Sequence, residues 1–353
     1  MTTGSCAGQW GPRASGPVTF DIENRTPETM DVQLLATGTP RVYAEIPTLG
    51  SGTTRPLTVT LGAGRYTWQC ASLDGVIYAS NPAEVTGATP DPTPGYIPVT
   101  LDQISEPVLD YRQEVASGLT TLAAATDKLQ ALVDASEWDQ AKAQWLVAHL
   151  DYERLGAAYD TFGDFDDEIN GRADGLPGGV NDPNFTGFRR LEYGLWNNQP
   201  SATLAAVAAK LDGYVHGLIA AFPHQATNAI DLPLRTHEIL ENALQFELTG
   251  DTDEGSHTNL ATVSANVQGT QMTLNAIAPL LSSRDPSLLA SAQSGLAGLG
   301  TLVDSYQEPD GWWTPVQSLT PAQRERLDAA TSQLLEQLSL VPGTLRIFAV
   351  GAS

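Results

Sequence analysis

Bases are scarce in this chain: 18 Lys and Arg stand against 41 Asp and Glu, a formal net charge of −23. So acidic a protein is repelled by phosphate backbones and anionic lipid surfaces, which excludes nucleic acid as a partner. Aromatic residues are sparse at 7%, which points to Ala- and Leu-rich helices over much of the length. No uncharged apolar run reaches the ~18 residues a bilayer-spanning helix needs, so none is expected. Met1–Cys6 has neither the basic nor the apolar segment of an export signal. Either the chain stays in the cytosol, or a targeting segment has been removed and an initiator Met supplied. No serine-protease or Walker motif occurs, and His237-Glu238 lacks the second His, at position 241, of a zinc-protease HExxH. Asp164–Glu168 looks like the start of a calcium loop, but positions six and twelve are Ile169 and Gly175 instead of Gly and Glu.

What is present divides in two, as 353 residues at ~150 per domain would suggest. Residues 18–87 alternate with period two: Val18/Phe20/Ile22, Met30–Leu35, Arg41–Ile46, Leu57/Val59/Leu61, Tyr66/Trp68/Cys70 and Ala83–Val85. Glycine-rich turns separate them, which predicts an all-β sandwich over 1–88. A Pro-rich linker is expected over 89–99. Beyond it the apolar period becomes 3.6, which predicts an all-helical bundle over 100–345. Asp285-Pro286 and Thr320-Pro321 mark two helix starts. Asn170–Gly187, rich in Gly and Pro, is the one long loop. Residues 1–98 hold eight acids and five bases, so nearly all the negative charge belongs to the helical domain.

Cys6 and Cys70 are the only cysteines. A lone pair joining the N-terminus to a strand reads as a disulfide of an export compartment; two unrelated buried thiols are the alternative. The sandwich invites comparison with cupredoxins, yet all five histidines lie after residue 148, so no copper is expected. In the helical part, functional groups come as helical pairs: His149/Glu153, Arg189/Glu192 and His237/Glu241, with Glu238 on an adjacent face. Glu153 follows Tyr152, and Glu192 sits in Phe188-Arg189-Arg190-Leu191-Glu192-Tyr193-Gly194-Leu195-Trp196. Carboxylates in such apolar settings need a cation or an arginine.

Trp145–Asn170, Asp182–Trp196, His237–Gly250 and Ser256–Gln271 resemble the imelysin-like family, in particular its EfeO-type iron-uptake branch of the bacterial envelope. The sandwich resembles the cupredoxin-like domain that accompanies many of its members. The resemblance implies two four-helix-bundle-like halves with a metal site between helices, centred on a His-x-x-Glu motif. That motif falls on Arg189–Glu192: Glu192 stands at the family glutamate, and Arg189 at the family histidine. Glu153 is a retained acid, Gly156 and Asn170 are departures, and Glu238 is a further member. The metal set is thus Glu153, Glu192 and Glu238, with His149, His237 and Glu241 as additional candidates. A guanidinium cannot ligate a metal but pairs well with carboxylates.

Two readings follow. In the first, an exported protein, periplasmic or extracellular, captures iron or another cation and hands it to a membrane permease, with a peroxidase-type partner in the same system. In the second, a metal-free binding module takes a protein partner or a small anionic ligand, with Arg189 and Arg190 as the anchor. Hydrolysis is implied only by the family's peptidase label, and no nucleophile–base pair supports it. Cys6 is either a disulfide partner or a lipid-attachment point.

Overall fold

Alternating burial along the N-terminal strands builds two facing layers in the computed structural model, which describes residues 1–348 apart from Thr3, Gln9 and Leu73. The strands are β1 (Arg13–Ala14), β2 (Gly16–Glu23), β3 (Met30–Ala36), β4 (Val42–Leu49), β5 (Thr54–Leu61), β6 (Gly64–Ser72), β7 (Ile77–Ala79) and β8 (Ala83–Thr86). One sheet runs β1-β8-β6-β3-β4, with β7 also on β6; β2 and β5 form a second, antiparallel pair. Inward-facing Met30, Val32, Leu34, Val59, Leu61, Trp68 and Val85 fill the core between them. Phe20 packs edge-on against Trp68, with ring centroids 5.0 Å apart. Cys6 and Cys70 are disulfide-bonded and buried, so Cys6 is not available to carry a lipid.

Residues 89–99, expected as a linker, belong to this first unit, which comprises Met1–Gln103 and Thr344–Ser353. Thr93 and Tyr96 explain why: their backbone N–H groups donate to Thr60 and Val42, and Val42 donates back to Tyr96. β9 (Val99–Thr100) then pairs in parallel with β10 (Ile347–Phe348) near the end of the chain.

The second unit, Ile104–Gly343, is helical. Its elements are α1 (Leu101–Asp134), α2 (Trp138–Glu153), α3 (Tyr159–Phe162), α4 (Asp164–Asn170), α5 (Gly187–Trp196), α6 (Ser201–Ala221), α7 (Asp231–Gln245), α8 (Asn259–Arg284), α9 (Pro286–Asp304), α10 (Pro321–Leu338) and α11 (Val341–Thr344). Both expected caps are present: Asp285 accepts from the Leu288 N–H, and Thr320 and Gln323 form a reciprocal capping box. α7 to α10 pack against one another, while α2, α4, α5 and α6 form a second group that meets the first where α2 crosses α8. α1 joins the second group through Gln144 Nε2 donating to the Ala125 carbonyl, and Thr126 donating to Asp212.

Ser201–His224, which is α6 and the turn after it, is long and apolar enough to cross a membrane by length and composition. Lys210, Asp212 and His216 interrupt it, so it holds no uncharged run of that length. Its alanines keep it apolar, and Leu204, Ala208, Leu211, Val215 and Leu218 are buried, with α4 and α5 as its neighbours.

Candidate functional site

The end of α2, the start of α5, the inner face of α7 and the start of α8 surround a cavity of about 150 Å³. Its lining includes Glu153, Glu247, Arg172, Arg189, Arg235, Tyr159, Asn170 and Asn266.

On α2, the i,i+4 spacing puts His149 one turn above Glu153. The imidazole is fully buried, stacked on Trp145 with centroids 4.9 Å apart. Its Nε2 lies 3.0 Å from Glu153 Oε1 and 3.1 Å from Asn170 Oδ1. Glu153 also accepts from Asn170 Nδ2 at 2.9 Å, Asn266 Nδ2 at 3.1 Å and Tyr159 OH at 3.2 Å. Burial pushes this carboxyl up, but the His149 hydrogen bond and charge, with Arg189 and Asn170 behind them, outweigh it and hold it at about 2. Glu153 is therefore an ionised carboxylate with both oxygens engaged.

α5 begins at Gly187, and the sequence allows nothing larger there. Its φ is +76°, and a Cβ would meet the Ile169 carbonyl oxygen at 2.1 Å. This contact brings the end of α4 against the start of α5, so it sets where Arg189 and Glu192 emerge. Gly187→Ala is expected to destabilise the helical unit by roughly 1–3 kcal/mol through backbone strain. Chemical denaturation followed by tryptophan fluorescence measures it, and an unchanged midpoint contradicts the argument.

Arg189, only 2% exposed, is the hub. Its Nη1 is 2.8 Å from Asp253 Oδ1 and 3.6 Å from Glu192 Oε2, and its Nη2 is 3.3 Å from Glu247 Oε1. Burial pulls the guanidinium pKa down, but Glu247, Asp253, Glu192 and Glu153 more than offset it, so it stays charged. Glu192 Oε1 accepts from the backbone N–H groups of Glu254 and Ser256 and from the Ser256 hydroxyl, at 2.6–2.9 Å. Glu247 Oε2 accepts from Thr252 Oγ1 and Asn259 Nδ2. Burial pushes both Glu192 and Glu247 up, against the pull of Arg189. Among the described residues, Glu192 Oε2, Asp253 Oδ2 and Asn259 Oδ1 are buried acceptors with no hydrogen bond. The interior thus sets four carboxylates against one guanidinium and one imidazole.

Of the sequence-derived set, the structure brings Glu153, His149, Glu192 and Arg189 into this network, together with the two departures, Gly156 and Asn170, in the cavity lining. It does not bring in Glu238, His237 or Glu241. Arg235, Ile239, Asn242, Ala243 and Phe246 face the cavity at three- and four-residue intervals, which turns 237, 238 and 241 off that stripe. Glu238 pairs with Arg235 at 3.0 Å, and His237 lies 3.5 Å from Glu241 in a partly exposed pair. Arg190 is separate too: its guanidinium sits over the Tyr193 ring and lines another hollow with Asp182, Gln199 and Lys210. Glu247 and Asp253 were missed. Glu247 lies between Phe246 and Leu248, the same apolar setting that singled out Glu192, so it was findable. Asp253 falls between the segments that resemble the family and carries no local signal.

The imelysin family model, labelled a peptidase family, matches residues 108–341, and the chain belongs to that family. It is 25% identical to "Iron uptake system component EfeO" of Escherichia coli (strain K12) over 348 residues, covering 94% of this chain and 86% of that one. The protein of the same name from Shigella flexneri matches to the same extent. Among solved structures, an imelysin-like protein from Psychrobacter arcticum 273-4 superposes with a TM-score of 0.53 at 14% identity, covering 70% of this chain and 96% of that one. That likeness bears on the fold alone.

Proposed function

We propose that this protein is an exported component of an iron-uptake system, which holds a cation cargo at the α2/α5/α7/α8 cavity and passes it to a membrane permease. Its likeness to EfeO proteins supports the system, and the buried disulfide supports a periplasmic or extracellular location. The observation that carries the reading is the charge imbalance around Arg189. Glu192, Glu247 and Asp253 share the Arg189 guanidinium while Glu153 pairs with His149, and burial pushes Glu192 and Glu247 towards their neutral forms. A cation in the cavity would let them ionise. Glu247, with Asn170, Asn266 and Tyr159, offers oxygen donors along its wall, and Arg189 is the resident counter-charge behind it. A peroxidase-type partner belongs to the same proposal. The strand unit, cupredoxin-like in kind, is a docking module without copper, since both its cysteines are oxidised and no histidine precedes His149.

Calorimetric titration with ferrous iron and with ferric citrate tests this. The wild-type protein is expected to take up iron, and Glu247→Gln to weaken uptake at least tenfold. Absence of both heat and thermal stabilisation in the wild type defeats the proposal.

One observation favours a second reading. Among the described residues, the interior acids do not converge on a point: the one group of three such ligands whose atoms all lie within 4.8 Å of one another is elsewhere. They are arranged around the Arg189 fork instead. A metal-free module would then bind an anionic ligand at Arg172 and Arg235, in the cavity wall. Under that reading the wild type ignores iron and Arg189→His binds it. Under the first, the wild type binds it already.

A further inference from the structure

Away from the cavity, α1 and α6 place three metal-binding side chains together. Asp212 and His216 are one turn apart on α6, and Asp127 faces them from α1. His216 Nε2 lies 2.9 Å from Asp127 Oδ1 and 3.8 Å from Asp212 Oδ2, and the three ligand atoms all lie within 4.8 Å of one another. We propose that Asp127, Asp212 and His216 form a second cation site, for a first-row divalent ion such as Zn²⁺ or Fe²⁺. It goes beyond the interior proposal and is independent of it.

The spacing fits a shared ion. Ligand atoms each about 2.1 Å from one metal lie ~3.0 Å apart at neighbouring octahedral corners and ~3.4 Å apart on a tetrahedron. The two distances to His216 straddle that range, and the Asp127 and Asp212 oxygens lie within 4.8 Å of each other, so small side-chain movements would bring all three to one ion. Two carboxylates aimed at one imidazole repel each other, and a divalent ion relieves this more fully than a proton on His216. The donor set is one nitrogen and two oxygens on a half-exposed surface, with room for water at the remaining positions. Such a mix suits first-row divalent ions; Mg²⁺ and Ca²⁺ prefer oxygen alone.

A further contact holds the site in shape. Thr126, buried beside Asp127 on α1, donates from Oγ1 to Asp212 Oδ1 at 2.9 Å. That bond occupies one carboxylate oxygen and leaves Oδ2 turned towards His216. Groups that orient metal ligands in this way typically change affinity 10–100-fold when removed. Both anchoring segments lie within long helices, so the three side chains start from fixed backbone positions.

Calorimetric titration of the full-length protein with Zn²⁺, and with Mg²⁺ as control, tests the site. The wild type is expected to bind one equivalent of Zn²⁺ that His216→Ala loses and that Mg²⁺ does not displace. Asp127→Asn and Thr126→Val should weaken that equivalent at least tenfold. His237→Ala, which alters the other exposed His–Glu pair, and Glu247→Gln, which alters the interior, should leave it intact. His216→Ala binding the same number of equivalents with the same affinity overturns the proposal, as does displacement of Zn²⁺ by equimolar Mg²⁺. Because His216 is exposed, its truncation leaves the fold in place, and circular dichroism verifies this.

Discussion

Arg189→Met is expected to lower the stability of the helical unit by about 3–5 kcal/mol at neutral pH, because it strands buried charge without a partner. The side chains are similar in length, so little of the loss comes from packing. Glu192, Glu247 and Asp253 remain in place, within 2.8–3.6 Å of where the guanidinium ended. The pH dependence gives the cause away. Glu192 and Glu247 already sit above the usual carboxylate range because they are buried, and losing Arg189 raises them further. A group whose pKa is raised by folding contributes stability at low pH and loses it as pH rises through the folded value. The deficit of the variant should therefore be largest near pH 7 and shrink towards pH 4. Thermal unfolding followed by near-ultraviolet circular dichroism across that range measures it. A deficit that stays flat with pH would mean that Arg189 acts through packing.

Cutting the other long-range tie acts on the strand unit. Reducing Cys6–Cys70, or replacing both residues with Ala, is expected to cost about 4 kcal/mol on the chain-entropy account, because the bond spans a sequence separation of 64. Both sulfurs are buried in the core beside Val32 and Trp68, so the double Ala variant adds a small packing loss. The N-terminal segment should leave first: Trp10 donates from its indole to the Tyr66 carbonyl and packs edge-on against Phe20 and Trp68. Limited proteolysis with and without reductant, read by mass spectrometry, should show new cleavage before Arg13 under reduction. Equal protection in both states would show that the strands hold this segment unaided.

Much of the fold was legible because burial leaves a period in the sequence. The strands from Val18 to Val85 and the long helices appear where alternation or the 3.6 repeat is strong. β1, β7, β9 and β10 escaped because two or three residues cannot establish a period; neighbouring strands, and not local preference, impose their pairing. The supposed linker escaped for a related reason: the hydrogen bonds of Thr93 and Tyr96 to β5 and β4 depend on partners more than thirty residues away. In the site, local setting identified Glu153 and Glu192, since an acid among apolar neighbours must be satisfied somewhere. Glu238, taken from the family resemblance, lies off the cavity: a one-residue difference in helical phase separates the cavity face, at Ile239, from its partly exposed ion pair with Arg235. Local setting could not reach Asp253, or the meeting of Asp127 with His216, because these exist only once separate segments have packed.

The parallel pairing of β9 with β10 makes the helical unit an insertion within the strand unit. During synthesis, Val99 and Thr100 emerge from the ribosome well before Ile347 and Phe348, so that small ladder cannot close until the helices have been made. The unit that begins first is thus completed after the helical one, and removing Ile347 and Phe348 takes away the partner of β9 on the far side of the inserted helices in sequence.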